Sequence, residues 1–522
     1  MSAESNSRQL GVLVIVLGVV LVGLLLIANR VDSTDESANP GEPVITTTPS
    51  PTAAPTTTAA PTTTAPPGTL PPYDGWVDPA SSGSAWSRLG AVDGLLTFRG
   101  NPTRSFYGQG PVPESPSIQW TFQIGCSNSS VGGQPKNWCG SGWTGQPAVF
   151  RPPAGAPNDS SDADQWWLAF GGYDREVNFL DPASGAEIYP AYATDDIIKG
   201  SITIDPDGFP LMYTGSRDNN FHVVAIDRPN PEALWKLDAE AVQPTKWNND
   251  WDGSALIIDD YLFEGGENSR FFIVKLNRTI GADGLVAVDP EIVFSAPGWD
   301  DELTAAVGGN VSIENSVAIS GDTVYFANSG GLVQGWDITD LDTGGEPTRT
   351  FRFWTGDDTD ATIVIDDEGM LYVGSQYERG NSRSQELGQV IKLDPSKPDD
   401  PVVWSREARQ GLDTGVWATP AIWEDLVIVA TDDGRVLGLD RADGAERWVL
   451  NLPGPLWQSP VVVDGVLIQG DCQGFLNAFD LSGGTPVERW RIELGGCIES
   501  TPAVWNGQIF VGSRNGTFYA IG

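Results

Sequence analysis

The chain has 522 residues, of which 69 are Asp or Glu and 30 are Lys or Arg, so its formal net charge is −39. This excess of negative charge repels phosphate backbones and anionic lipid surfaces, which excludes nucleic acid as a partner. The 61 glycines and 20 tryptophans favour many short strands joined by tight turns over a helical protein.

One long apolar run, residues 10–28, contains nineteen uncharged residues and matches the length of a membrane-spanning helix. We therefore predict an uncleaved signal-anchor helix at 10–28, preceded by a cytoplasmic tail at 1–9. A cleaved signal peptide is the alternative, but its apolar core is normally shorter, and no A-x-A-like cleavage site follows this run.

Residues 29–72 contain a Pro/Thr/Ala-rich tract, Thr46–Pro67, that cannot bury a core and is typical of an extended linker. Such linkers hold a domain away from an outer surface. The sequence thus predicts a single-pass protein of the cell membrane with its C-terminal domain extracytoplasmic.

Four cysteines, Cys126, Cys139, Cys472 and Cys497, are even in number and lack the C-x-x-C spacing of a zinc site. We expect disulfides in an oxidising compartment, with buried free thiols as the alternative. Three connectivities are possible, and proximity in the predicted fold favours Cys126 with Cys139 and Cys472 with Cys497.

The C-terminal part of the chain is built from repeats, most clearly at residues 418–450, where alternating apolar strands are separated by polar, Gly-containing turns. Small or turn-adjacent residues open the units at intervals of 40 to 62 residues. These blade-opening residues are Gln146, Ser201, Ser254, Ser316, Thr362, Thr419, Ser459 and Thr501. The pattern predicts an all-β protein, an eight-bladed β-propeller of four-stranded antiparallel blades.

The eighth unit has only three strands after Thr501, which leaves a sheet edge unpaired. The segment Ile118–Gly125 is similar to the fourth strand of the seventh unit, so we predict that it closes the ring as the outer strand of blade 8. The propeller then spans 118–522, and residues 73–117 form a lead-in segment.

The units resemble the repeats of the pyrroloquinoline quinone (PQQ) propeller family, whose docking pattern is A-x-D-x-x-T-G-x-x-x-W. Residues 438–448 match it with Asp440, Gly444 and Trp448 in place, and the resemblance extends over about 96–522. The family includes quinoprotein dehydrogenases and cofactor-free propellers such as the outer-membrane assembly scaffold of Gram-negative bacteria, so the resemblance implies a fold but no single activity.

In the dehydrogenases of this family, PQQ is held by a Trp, a calcium ion with Glu and Asn ligands, a catalytic Asp and often a disulfide between adjacent cysteines. This chain has no Cys-Cys pair and no CxxCH haem motif. Its single histidine, His222, lies in a predicted strand, which excludes His-based triads and metal sites. We therefore expect a protein that binds rather than catalyses.

Residues two positions before each blade-opening residue are predicted to point into the mouth of the central channel. They are Thr144, Lys199, Asp252, Glu314, Asp360, Trp417, Trp457 and Glu499. The clustered carboxylates predict a cationic ligand or a calcium ion held by Asp252, Glu314 and Asp360. The alternative is a water-filled mouth in which Lys199 pairs with a neighbouring acid.

The sequence thus predicts an extracytoplasmic module of the cell envelope that binds an envelope protein or a small ligand. The alternative is a PQQ- and calcium-dependent dehydrogenase of alcohols or sugars. A structural scaffold without a discrete central site is a third class.

Overall fold

The computed structural model describes residues 44–46, 73–86, 92–131, 134–142, 145–157 and 165–522. The predicted membrane helix at 10–28 and most of the predicted linker lie outside these residues. Within them, no helix has the length and apolar character needed to cross a membrane.

Eight four-stranded antiparallel sheets follow one another along the described chain, which confirms the predicted all-β, eight-bladed propeller. The second and third strands of a blade are apolar and buried on both faces, whereas the outer strand mixes exposed and buried residues, as in blade 6. Gly-containing turns join these short strands. In blades 1 to 7 the innermost strand comes first in sequence and the outermost strand comes last.

The strands of the first four blades are as follows. Blade 1 contains Ala148–Phe150, Trp167–Gly171, Glu176–Leu180 and Glu187–Ala193. Blade 2 contains Thr203–Ile204, Leu211–Gly215, Asn220–Ala225 and Glu232–Asp238. Blade 3 contains Leu256–Ile258, Tyr261–Gly265, Arg270–Lys275 and Glu291–Pro297. Blade 4 contains Ala318–Ser320, Thr323–Phe326, Leu332–Asp337 and Thr348–Trp354.

The strands of the last four blades continue the pattern. Blade 5 contains Val364–Ile365, Leu371–Gly374, Val390–Leu393 and Val402–Arg406. Blade 6 contains Ala421–Trp423, Leu426–Ala430, Arg435–Asp440 and Glu446–Asn451, with Val44–Thr46 beside its outer strand. Blade 7 contains Val461–Val463, Val466–Gly470, Phe475–Asp480 and Val487–Glu493. Blade 8 contains Ala503–Trp505, Gln508–Gly512, Thr517–Ile521 and, as its outer strand, Ile118–Gln123.

Short elements decorate this ring. They are the hairpin of Cys126–Val131 with Gln134–Cys139, the strand pairs Thr279–Ile280 with Val286–Ala287 and Gln376–Tyr377 with Thr414–Gly415, helix α1 at Asp301–Val307, helix α2 at Ser382–Leu387, and 3₁₀ turns at Pro79–Ser81 and Leu341–Thr343. Helix α1 lies in the link between blades 3 and 4, and helix α2 lies within blade 5.

The outer strand of blade 8 comes from the N-terminal side of the chain. Ile118–Gln123 runs antiparallel to Thr517–Ile521, and Phe518 stacks on Phe170 of blade 1 with ring centroids 3.9 Å apart. Trp120 donates its indole N–H to the carbonyl of Pro182 in the adjoining turn of blade 1. Backbone and aromatic contacts therefore join blades 8 and 1.

The docking motif of the repeats has a direct physical role. Asp440 accepts a hydrogen bond from the Ala442 amide at 2.8 Å and thereby shapes the turn between strands 3 and 4. Gly444 in that turn has φ +71°, and an added Cβ would lie 2.6 Å from the ring of Trp404 in the preceding blade. Glycine is required because the backbone is left-handed and an indole packs directly against it.

The lead-in segment enters the ring from the end opposite the blade-opening residues. Val77 pairs with Gly321 in the first turn of blade 4, and the amide of Trp76 donates to Asp322 in the same turn. The chain then pairs Gly94–Leu95 with the inner strand of blade 1 and, after crossing the channel, Gly108–Gln109 with that of blade 8.

Two buried arginines hold the lead-in segment inside the channel. The Arg99 guanidinium donates to the carbonyls of Thr419, Pro420 and Pro460 in blades 6 and 7. Arg104 donates in the same way to Val317 of blade 4 and Ser254 of blade 3. The channel is therefore blocked below its mouth, a feature that the sequence analysis did not predict.

Candidate functional site

Hydrogen bonds join several neighbouring blade-opening residues around the channel mouth. In several neighbouring pairs, the backbone N–H of one such residue donates to the side-chain hydroxyl of the next. The described pairs, at 2.7–3.0 Å, are Gln146 to Ser201, Ser254 to Ser316, Ser316 to Thr362, Thr362 to Thr419, and Thr419 to Ser459. A small residue with a side-chain hydroxyl opens most blades because this hydroxyl accepts a hydrogen bond from a buried backbone N–H of the neighbouring blade.

Six of the predicted mouth residues surround one cavity above these hydrogen bonds. They are Asp252, Glu314, Asp360, Trp417, Trp457 and Glu499. Asn315, Ser316 and Thr362 complete the lining. Lys199 lies beside the cavity and contacts Asp252, whereas Thr144 lies outside the described residues.

Lys199 is the centre of a buried charge cluster between blades 2 and 3. Its ammonium is ion-paired with Asp252, lies 3.1 Å from Glu267 Oε1 and 4.0 Å from Asp250 Oδ2. Arg217 approaches Asp250 from the other side, at 2.5 Å. The predicted pairing of Lys199 with a neighbouring acid is therefore present in the structure.

Burial and charge act against each other in this cluster. Burial lowers the pKa of Lys199, but the carboxylates of Asp252 and Glu267 outweigh it, so the pKa lies above its ordinary value. Burial raises the pKa of Asp252 well above the usual range and that of Asp250 to about 7, with neighbouring acids adding to the effect. Burial acts in the same direction on Glu267, but Lys199 and hydrogen bonds hold its pKa below the usual range.

A second acidic group lies on the side of blades 4 and 5. Asp360 accepts hydrogen bonds from the Trp417 indole at 3.0 Å and from the Ser329 hydroxyl at 3.2 Å. Burial raises the pKa of Asp360 well above its ordinary value, and neighbouring Asp358 adds to this. Burial likewise raises the pKa of Asp358 to about 8. Burial and the neighbouring acids therefore act in the same direction on both carboxyl groups.

The blade 8 side of the mouth carries a further carboxylate, Glu499, with its own partner. Glu499 accepts two hydrogen bonds from Arg514, at 2.9 and 3.0 Å. Arg514 also donates to the carbonyl of Cys139 and lies over the rings of Trp138 and Tyr173. The Cys126–Cys139 hairpin thus packs against the mouth through Arg514.

The structure contains disulfides between Cys126 and Cys139 and between Cys472 and Cys497. The first closes the hairpin beside Arg514. The second joins the turn between strands 2 and 3 of blade 7 to the link that leads into blade 8. Both lie at the end of the propeller that carries the mouth.

The carboxylates closest to a metal-binding arrangement differ from the predicted set. Asp252, Glu267 and Glu314 offer oxygens that all lie within 4.8 Å of one another, whereas Asp360 is directed to Trp417 and Ser329. Glu267 comes from the turn between strands 2 and 3 of blade 3, so the spacing rule based on the inner strands could not find it. The sequence indicated Glu267 only as an acidic residue in a Gly-rich turn at the end of the propeller that carries the mouth.

The cavity is too small for the quinone of the dehydrogenases. The volume open to the centre of a water molecule is about 10 Å³, enough for about one water molecule or ion. PQQ is a tricyclic molecule with three carboxylates, whereas the wall carries Asp252, Glu314, Asp360 and Glu499. The residues present therefore do not fit PQQ in shape or in charge.

His222 is buried in blade 2 and away from the mouth. Its Nδ1 lies 2.8 Å from the Tyr192 hydroxyl and its Nε2 lies 3.0 Å from Asp218 Oδ1. One ring nitrogen is thus used in a hydrogen bond to blade 1 and the other in a hydrogen bond to a turn of blade 2 itself, as expected for a structural imidazole.

The fold and the mouth define a PQQ-type β-propeller with a small acidic pocket and a blocked channel. A PQQ-repeat family model described as outer membrane protein assembly factor BamB matches residues 174–449 and 386–487, more than half of the chain, and the chain belongs to this family. No curated protein matches the chain.

Three solved structures show what the chain is similar to. Quinohemoprotein alcohol dehydrogenase from Comamonas testosteroni has 13% identity and a TM-score of 0.54, with 85% of this chain and 84% of that chain covered. BamB from Moraxella catarrhalis has 16% identity and a TM-score of 0.47, with 78% and 97% covered. The computationally designed Ika8 protein has 10% identity and a TM-score of 0.48, with 68% and 92% covered. At these identities, the similarity to the dehydrogenase shows the fold alone.

Proposed function

We propose that the protein is a membrane-anchored, extracytoplasmic binding module of the cell envelope, and that its channel mouth is the surface that binds a partner protein or ligand. The observation that carries this proposal is the single cavity wall formed by Asp252, Glu314, Asp360 and Glu499 together with Trp417 and Trp457. Carboxylates beside aromatic rings suit a ligand that presents a positive charge, because both attract cations.

The two tryptophans give the wall its apolar part. Their ring centroids are 5.3 Å apart in an edge-to-face arrangement, and the Trp417 indole is held by Asp360. Exposed side chains on the same face, Trp247 and Leu412, extend the apolar area beyond the cavity. A basic partner surface with some apolar side chains would complement this face.

The position of the lead-in segment supports an accessible mouth. Trp76 and Val77 lie against blades 3 and 4 at the end of the propeller opposite the blade-opening residues. A chain that comes from an anchor at 10–28 would therefore reach the propeller at the end opposite the mouth, which leaves the mouth accessible to a partner. The family relationship to an outer-membrane assembly factor agrees with an envelope role.

The test uses the full chain in native membranes with a photo-crosslinking residue at Leu412 or, as a control, at Val487. The two positions are matched, with exposed fractions of 59% and 60%, but Val487 begins the outer strand of blade 7 at the opposite end. We expect a discrete cross-linked species from Leu412 that disappears in the double variant Glu314→Gln, Asp360→Asn. Equal labelling from both positions, or labelling unaffected by the double variant, would refute the mouth as the binding surface.

The dehydrogenase alternative is tested separately on the purified extracytoplasmic part. After incubation with PQQ and Ca²⁺, absorption spectra and dye-linked oxidation of alcohols and sugars are measured. We expect neither retained quinone nor turnover, because the cavity has no room for the cofactor. Stoichiometric quinone with turnover would overturn the binding proposal.

A further inference from the structure

We propose that Lys199 takes the place of a metal ion at the mouth, so that the three-carboxylate site of Asp252, Glu267 and Glu314 is closed to divalent cations in this protein and opens when the ammonium is removed. The proposal concerns the same mouth as the proposed function but does not depend on it.

The carboxylates come from three separate segments that converge on one point. Asp252 lies in the link into blade 3, Glu267 in a turn of blade 3, and Glu314 in the link into blade 4. Their oxygens lie within 4.8 Å of one another, a spacing that one cation with short bonds to oxygen can bridge. Such convergence of acids is costly unless a positive charge lies among them.

The ammonium of Lys199 supplies that charge. It is ion-paired with Asp252 and hydrogen-bonded to Glu267, and therefore lies against two of the three candidate ligands. Only 7% of its side chain is exposed. Because Lys199 is attached to the chain, its ammonium is present at a far higher local concentration than any free ion.

A divalent ion cannot simply join this arrangement. It would lie next to the Lys199 ammonium, and two buried cations a few ångströms apart repel strongly in a medium of low dielectric constant. Arg217 already pairs with Asp250, so Asp250 is not available to offset the charge of an added ion. We therefore expect electrostatic repulsion by Lys199 to prevent calcium from binding at this mouth, although the carboxylate oxygens lie close enough together to coordinate it.

The geometry also predicts what removal of the ammonium does. Methionine has a side chain of similar length without charge, so Lys199→Met leaves three buried acids facing one another without the ammonium that lies among them, while Arg217 stays paired with Asp250. A divalent ion then binds the folded state alone and raises its unfolding temperature. Binding also displaces protons from the acids, so the experiment is best performed at mildly alkaline pH.

The experiment measures thermal unfolding and Trp-sensitised terbium luminescence of the extracytoplasmic part, in EDTA and in calcium at about 10 mM, above the roughly 10⁻⁴–10⁻³ M range of extracellular calcium modules. Wild type is expected to show no calcium-dependent shift and no saturable luminescence. Lys199→Met is expected to gain several degrees and one saturable terbium site, displaced by calcium.

Matched variants define the site. Lys246→Met removes a lysine on the same face, where its ammonium lies 5.2 Å from the Trp299 ring, and should behave as wild type. Adding Glu267→Gln to Lys199→Met should abolish the new site. A calcium shift in wild type that requires Asp252, or a folded Lys199→Met protein without ion binding, would overturn the proposal. If Lys199→Met is unfolded in EDTA, recovery of cooperative unfolding in calcium supports the proposal. The calcium titration of wild type tests the proposal whether or not this variant folds.

Discussion

The backbone N–H of Thr362 donates at 3.0 Å to the side-chain hydroxyl of Thr419, which lies 57 residues further along the chain and opens the next blade. Both residues are buried at the channel mouth. The link is one of a series that joins successive blades, so a single hydroxyl stabilises an interface between two separate sheets.

Loss of one such hydroxyl should weaken the whole ring. Thr419→Val keeps the shape of the side chain but leaves the buried Thr362 amide without an acceptor, at a cost of about 1–3 kcal/mol. Denaturant unfolding followed by tryptophan fluorescence measures the change. Thr419→Ser retains the hydroxyl and serves as control, and equal stability of the two variants would contradict the role of the hydrogen bond.

Closure of the ring can be tested at its outer strand. Deletion of Ile118–Gly125 should destabilise the whole propeller, because Thr517–Ile521 would lose its backbone partner and Phe518 would lose its packing against Trp120. Trp120 is only partly buried, so the milder Trp120→Ala should cost less than the roughly 3–5 kcal/mol of a fully buried aromatic truncation. Circular dichroism melting curves of both variants provide the measurement, and an unchanged unfolding temperature of the deletion would show that the pairing is dispensable.

The disulfides make a prediction about the mature protein. Peptide mapping without reduction, on protein exported to an oxidising compartment, should recover Cys126 linked to Cys139 and Cys472 linked to Cys497. Each pair closes a short loop next to the mouth. Recovery of four free thiols would argue against both the bonds and the proposed extracytoplasmic location.

The stability of the propeller should fall between about pH 4 and pH 8. Burial raises the pKa of Asp250 to about 7 and of Asp358 to about 8, above the ordinary value of 3.8. The folded state therefore binds more protons than the unfolded state in this pH range. The folded protein is most stable while Asp250 and Asp358 are protonated, and it loses stability as the pH rises and these carboxyl groups ionise. We expect Asp358→Asn to match wild type near pH 4 and to exceed it above pH 8, measured by unfolding temperature; the same pH dependence in both proteins would refute the assignment.

Much of the architecture was predictable because it repeats. Alternating apolar residues, turn glycines and the hydroxyl residue before most inner strands recur, and six mouth residues followed from the alternation of side chains along those strands. Glu267 was missed because the rule considered only residues before the inner strands, whereas Glu267 lies two residues after the glycine that ends strand 2, the position held by Arg217 in blade 2 and by Arg514 in blade 8. Arg99 and Arg104 were also missed, since a charged residue in a glycine-rich segment is normally exposed and only the blade carbonyls give it buried partners.

The pairing of Ile118–Gln123 with Thr517–Ile521 also determines when folding can finish during synthesis. Gln123 and Thr517 are 394 residues apart, so Trp120 and Phe122 leave the ribosome long before the strand that covers them. Until then the chain presents an unpaired strand edge and aromatic side chains, which are features that promote aggregation. The ring therefore cannot be completed blade by blade during translation, and a nascent chain held open until its last strand arrives is a natural client for chaperones of the compartment in which it folds.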